Sequence, residues 1–261
     1  MGKLLRSNFV RLKKNPLFWI ALVVATIDPL YTVLNNFYYG KLWEHSFPPD
    51  NALMMVANGY IFPIALAAFV ALFVGTEYGD KTMRNKLIVV HSRTSLYLSN
   101  LIVCVTAALT MYAVGVIAAV AVGVPLLGSY ESPAKILLPQ IGCTLLSVAA
   151  LAAMDTMLAM LITNMVVGGI VTLLASVGLA YLPQVLWNRV CIPIEELQAT
   201  RGTYKIYKVL YDALPTCQLY RYTSYAEDLP GNLWLFPFYS MLIIGVTTTV
   251  GLLCFRKENL K

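Results

Sequence analysis

Two stretches of this chain, Asn51 to Thr76 and Thr94 to Tyr130, contain no charged residue. Each exceeds the roughly 20 apolar residues that a helix needs to cross the hydrocarbon of a bilayer. Inside lipid the backbone must satisfy its own hydrogen bonds, which leaves helices and closed barrels as the spanning structures. Barrel strands alternate apolar and polar positions, whereas the runs here are continuous, so helices are expected. Composition agrees. Of the 261 residues 59% are hydrophobic and 12% charged, where a soluble domain carries roughly a quarter charged.

Hydropathy predicts six spans: Pro16 to Leu34, Leu53 to Thr76, Leu96 to Val122, Ile136 to Ile162, Val166 to Leu186 and Leu235 to Phe255. Only Thr163-Asn164 and nearby Gly168-Gly169 separate the fourth from the fifth, and fusing them would put the C-terminus outside. Charge selects six. With a cytoplasmic N-terminus, the inner segments collect Lys3, Arg6, Arg11, Lys13, Lys14, Lys81, Arg84, Lys86, Arg93, Arg256, Lys257 and Lys261 against three acids, Glu77, Asp80 and Glu258. The outer segments hold seven basic residues and eight acids. This bias matches the positive-inside rule. The net charge of +6 is thus a topology signal, and no nucleic-acid partner is expected. The expected fold class is an all-α integral membrane protein of six transmembrane helices. It forms a single transmembrane domain over 1–261, with both termini cytoplasmic, in a bacterial cytoplasmic membrane.

Three segments outside the spans have their own character. Residues 1–15 read as an amphipathic helix on membrane lipid, with Leu5, Phe9 and Leu12 at helical spacing and Lys3, Arg6, Lys13 and Lys14 mostly on other faces. Residues 187–234 form a large extracytoplasmic segment. Within it, Tyr204, Tyr207, Tyr211 and Leu214 fall near one helical face, as an aromatic belt or an outer gate would require. Residues 77–95 are a hydrophilic cytoplasmic loop. The five cysteines lack metal or redox spacing, although Cys191 and Cys217 share the outer segment, where pairing is open.

Chemistry is scarce in this sequence. No G-x-x-x-x-G-K-[ST] loop occurs, so the chain has no means of using ATP by itself and is not expected to be an enzyme. H-E-x-x-H and G-x-S-x-G are also absent, and His45 and His91 fall on opposite sides of the membrane, so no metal site or hydrolase is expected. Ionisable groups inside spans are costly and usually functional. Asp28 lies toward the outer end of the first span, either reaching interfacial water or serving a path. Asp155 lies deeper, either lining a substrate or ion path or hydrogen-bonding Asn58, Thr156 or Asn164. From these residues alone an ATP-independent secondary transporter or channel, or a membrane-anchored immunity or interaction protein, remains open.

The hydrophilic loop narrows that choice. It reads Glu77-Tyr78-Gly79-Asp80-Lys81-Thr82-Met83-Arg84-Asn85-Lys86-Leu87 and closes on Ser92-Arg93. This resembles the segment E-[YF]-x-x-G-T-x-R-N-K-L-x-x-G-x-S-R between the second and third spans of ABC transporter permeases of the type 2 exporter class. Bacteriocin, drug and ion exporter permeases are among them. Two of the family's glycines are replaced, by Lys81 and Val90, which alters the local turn because glycine accepts positive φ and other residues do so poorly.

The resemblance implies a coupling helix that docks on a separate ATPase. Its candidate residues are Glu77, Tyr78, Asp80, Lys81, Thr82, Arg84, Asn85, Lys86 and Arg93, with Arg84 and Lys86 facing acidic groups of the partner. It also implies two ATPase subunits and a second permease chain, identical or related. This chain would bind no cofactor, ATP and Mg being held by the ATPase. The expected cargo is apolar or amphipathic.

Overall fold

The computed structural model describes residues 1–43, 61–88, 92–128, 134–190, 201–224 and 234–257. Among them the regular structure is entirely helical: α1 (Gly2–Lys14), α2 (Pro16–Ala25), α3 (Ile27–Trp43), α4 (Ile61–Gly79), α5 (Thr82–Ile88) and α6 (Arg93–Leu127), then α7 (Ala134–Leu161), α8 (Met165–Val190), α9 (Arg201–Ala213), α10 (Pro215–Ser224) and α11 (Leu235–Lys257). Six helical segments are long and apolar enough to span a bilayer, α2 and α3 together forming the first.

The first span reaches Leu42 rather than ending near Leu34, with a break at Thr26. Pro29 explains the break, since it has no amide to give the carbonyl four residues back. The Thr26 hydroxyl and amide both turn back to the Val23 carbonyl, at 2.7 and 3.1 Å. Asparagines start two other helices. Asn15 Oδ1 accepts the Leu17 amide at 2.9 Å ahead of Pro16, and Asn164 Oδ1 accepts the Val166 and Val167 amides at 3.0 and 3.2 Å. Both are N-caps supplying an acceptor to otherwise orphaned donors. The Asn164 cap divides the fourth span from the fifth, so the six-span reading holds.

The second and fourth spans are the most buried of the six, and the first, fifth and sixth present more of their surface outward. α7 packs against α11, α6, α4 and α10, while α4 lies against α8 and α2. In lipid the hydrophobic effect does not favour one helix neighbour over a lipid tail, so van der Waals fit and polar contacts decide the arrangement. Phe18, Phe69 and Phe73 form such a fit between α2 and α4, with ring centroids 5.8 and 5.4 Å apart. At Gly251 on α11 the approach is closer: a β-carbon there would overlap the hydroxyl of buried Tyr97 on α6. That hydroxyl donates to the Thr247 carbonyl at 3.4 Å.

The segment carrying α9 and α10 packs onto the bundle. Tyr211 and Cys217 are buried with Leu186, and Tyr207 and Leu214 pack beside them, so the tyrosine face expected of α9 is turned inward. Gln218 pins α10 to two spans, its Oε1 accepting from Ser147 and Ser240 at 2.8 Å each. Cys217 is a free thiol pushed by burial up to about 12, a poor source of thiolate. Cys191 lies outside the described residues.

Gly251→Ala should lower the unfolding midpoint in mild detergent, at a cost of about 1–3 kcal/mol for overpacking. In a Tyr97→Phe background, which removes the hydroxyl nearest the new methyl, the cost should be smaller. Equal costs in both backgrounds would show that this contact does not limit the α6–α11 approach.

Candidate functional site

The loop after the second span is built around one buried carboxylate. Glu77 occupies the last turn of α4, and its side chain is wholly buried. A lone carboxylate in such a place would cost several kcal/mol in lost hydration, so it must be paired and hydrogen-bonded. Two cations meet its Oε1: the Arg11 guanidinium from α1 and the Lys86 ammonium from α5. Asn100 of α6 donates to Oε2 at 2.9 Å. Four helices therefore meet on one side chain.

A second shell of hydrogen bonds closes the cluster. Asn8 donates to Ser99 Oγ at 3.0 Å and to Asn100 Oδ1 at 2.9 Å, and its own Oδ1 accepts from Lys86 Nζ at 2.9 Å. Arg11 also donates to the Phe73 carbonyl at 3.2 Å, and its guanidinium carbon lies 3.8 Å from the centroid of the Phe73 ring. Burial lowers Lys86 from the ordinary lysine value, and attraction from Glu77 opposes the shift. The Arg11 and Lys86 side chains remain 29% and 19% exposed. Water thus reaches the cations but not the carboxylate.

This arrangement revises the face expected for α1. The buried row is Leu4, Asn8 and Leu12, with Leu5 and Phe9 only partly covered, and the helix packs on α6. Asn8 in an otherwise apolar row was the available signal.

The turn from α4 into α5 passes through Lys81 at φ 56°, where the resembled motif has glycine. A left-handed backbone costs a residue with a β-carbon roughly 1–2 kcal/mol. Thr82 Oγ1 donates to the Glu77 carbonyl at 3.2 Å, and buried Met83 holds α5 against the bundle. The face left to solvent carries Asp80, Lys81, Arg84, Asn85 and Ile88. Glu77 closes α4 and does not start α5, and Lys86 turns inward, so of the two cations expected to face a partner only Arg84 is exposed.

The remaining candidates bind this end of the bundle together. Tyr78 donates its hydroxyl to the Met160 carbonyl of α7 at 2.6 Å, and Arg93 donates to the Phe255 carbonyl of α11 at 3.2 Å. Arg256 reaches back to Thr94 Oγ1 at 3.0 Å. The basic residues of α1, α5, the start of α6 and the end of α11 consequently gather at one end.

The intramembrane candidates are dispersed elsewhere. Asp28, half-buried, accepts the Ile61 amide of α4 at 3.1 Å. Asp155 is fully buried and accepts from Ser176 Oγ of α8 at 2.6 Å. Its partner is therefore neither Thr156, which donates to the Ala152 carbonyl, nor Asn164, which caps α8. Asn58, Val90 and His91 lie outside the described residues. No cluster of three or more potential metal ligands occurs among the described residues.

Compared with known families, residues 4–179 match the model described as ABC-2 family transporter protein. The matched region contains the whole Glu77 cluster and α5, and α9, α10 and α11 lie beyond it. No curated protein matches the chain.

Glu77→Gln should cost roughly 3 kcal/mol or more, since it leaves two partly buried cations without their shared partner. Arg11→Gln or Lys86→Gln should each cost less, because one cation remains on the carboxylate. Lys81→Gly should raise stability by about 1 kcal/mol by relieving the left-handed backbone. Thermal unfolding of the purified chain in one detergent ranks all four, and a Glu77→Gln protein no weaker than Lys86→Gln would remove Glu77 from the centre of the cluster.

Proposed function

We propose how this chain works from a premise that the family match supplies: it belongs to the ABC-2 family of transporter proteins and is a membrane permease of an ABC transporter. In the proposed mechanism it moves an apolar or amphipathic cargo out of a bacterial cell. Two permease chains work with two separate ATPase subunits, which hold ATP and Mg. The end bearing α1, α5 and the close of α11 faces the cytoplasm, in keeping with its basic charge.

One observation carries the docking assignment. α5 is a short helix anchored on one side by Met83 and Lys86 and open on the other at Arg84, Asn85 and Ile88. It has what a docking element needs, an accessible polar and apolar face on a rigid mount. ATP can bias a transport path only by binding one global state better than another. The ATPase contact must therefore move something, and α5 is tied to α1, α4 and α6 through Glu77.

Cargo class follows from what the spans leave free. Asp28 is engaged at the start of α4 and Asp155 with Ser176. Asp155 is fully buried and Asp28 half-buried, and the exposed faces of the spans carry many large apolar side chains, which supports an uncharged cargo.

Arg84→Glu should abolish co-purification with the ATPase subunit, or uncouple its ATP hydrolysis from transport, while changing the permease's own stability by no more than about 0.5 kcal/mol, as an exposed substitution does. Lys86→Glu should instead destabilise the permease itself, because it sets a second carboxylate against Glu77. Failure of the unmodified chain to bring any ATPase subunit from its native membrane would overturn the docking assignment. Transport lost through Asp155→Asn with ATPase docking intact would favour an ion-driven path.

A further inference from the structure

A groove runs between the first and second spans on the outer surface of the bundle. α2 contributes Leu17, Ala21 and Val24, and α4 contributes Ala65, Ala68 and Leu72, so one helical face meets another at i, i+4 and i+7 or i, i+3 and i+7 spacing. The alanines keep the two helices from filling the space between them, leaving about 250 Å³. Ile20 and Leu72 at its margin are 58% and 39% exposed. The groove is therefore open to whatever surrounds the bundle.

Its end near Pro16 has a different character. Lys13 and Lys14 are exposed at the close of α1, separated only by Asn15 from Pro16, where the first span begins. Beside them Trp19 is 53% exposed and donates its indole N–H to the Lys13 carbonyl at 3.0 Å. An indole with one polar edge and an apolar body marks the headgroup level of a bilayer. Apolar walls followed by two ammonium groups at the start of the span are what the two halves of a phospholipid would meet.

We propose that this groove holds one acyl chain of a bilayer phospholipid whose anionic headgroup pairs with Lys13 and Lys14. The volume argues for a chain over a protein helix, since a helix with its side chains is about 10 Å across. It is also below the roughly 300–1,000 Å³ of pockets that take drug-sized ligands. A lysine near an anionic bilayer surface adds attraction, so the site prefers anionic headgroups to zwitterionic ones. Such a lipid would tie α1, and with it Arg11, to the membrane beside the Glu77 cluster. The assignment does not depend on ATPase docking.

The test uses the full chain, delipidated in detergent and exposed to equal amounts of phosphatidylglycerol and phosphatidylcholine with identical acyl chains. Native mass spectrometry counts what is retained. The unmodified chain should prefer phosphatidylglycerol by on the order of tenfold. Lys13→Gln with Lys14→Gln should abolish the preference while leaving lipid bound, and Ala68→Phe, which fills the groove, should lose both lipids. A phosphatidylglycerol carrying a photoreactive acyl chain should label α2 and α4 of the unmodified chain, a readout independent of how any variant folds. Labelling confined to other helices would overturn the proposal. So would a preference that survives the double lysine variant, or an Ala68→Phe protein that keeps its lipid but loses chain-to-chain association.

Discussion

The Glu77 carboxylate cannot be buried unless Arg11, Lys86 and Asn100 come with it. Its dehydration is tolerable only while both cations and the amide are in place, and these partners arrive from three other helices. The carboxylate consequently fixes relative positions that apolar packing leaves loose, because in lipid a helix gains little by choosing one apolar neighbour over another. It sets how far α1 enters the bundle and which way α5 leaves α4. Asn8, hydrogen-bonded to Ser99, Asn100 and Lys86, makes the same demand from the opposite side of the cluster. Without these bonds, α5 would be a seven-residue helix, too short to persist alone.

At the other end of the bundle a neutral pin does comparable work. Gln218 holds Ser147 and Ser240 through one oxygen and reaches the Asp212 carbonyl with its nitrogen at 2.9 Å. The difference in strength matters. Neutral hydrogen bonds are worth about 0.5–1.5 kcal/mol net, and those to charged groups roughly twice that. One end is therefore held by hydrogen bonds to a charged group, and the end closed by α9 and α10 by neutral ones. Under the proposed docking, a force applied at α5 would move α1, α4 and α6 together, and the neutral contacts would yield first.

Much of the fold was legible because hydrocarbon imposes one rule on every residue of a span. Continuous apolar runs gave the spans and the charge bias gave their number, while the Asn164 cap that separates the fourth from the fifth emerged only in the structure. The tyrosine spacing gave a common face of α9, but not that this face turns inward onto Leu186. The Glu77 cluster was not legible, since a basic residue reads the same in sequence whether it is solvated or paired. Arg11 and Glu77 are 66 positions apart, and no local periodicity connects them. The same limit applies to Asp155, whose partner Ser176 is an ordinary small residue in an apolar helix. Asp28 was read toward one end of the first span, but the span runs on to Leu42, which sets Asp28 near its middle, and its acceptor role needed Ile61 beside it, which only the tertiary arrangement provides.

Lys81 shows how the local and long-range constraints meet. Its left-handed backbone lets α4 end at Gly79 and α5 begin at Thr82, and that tight reversal returns Lys86 to the carboxylate nine residues before it. A looser connection would carry Lys86 away from Glu77 and leave the Arg11 pair alone to offset its burial. The cost of a residue with a β-carbon at this φ, roughly 1–2 kcal/mol, is less than the several kcal/mol of an underpaired buried carboxylate. The turn therefore tolerates lysine where glycine would relax it, because the geometry of the turn is set by the charge cluster that it serves.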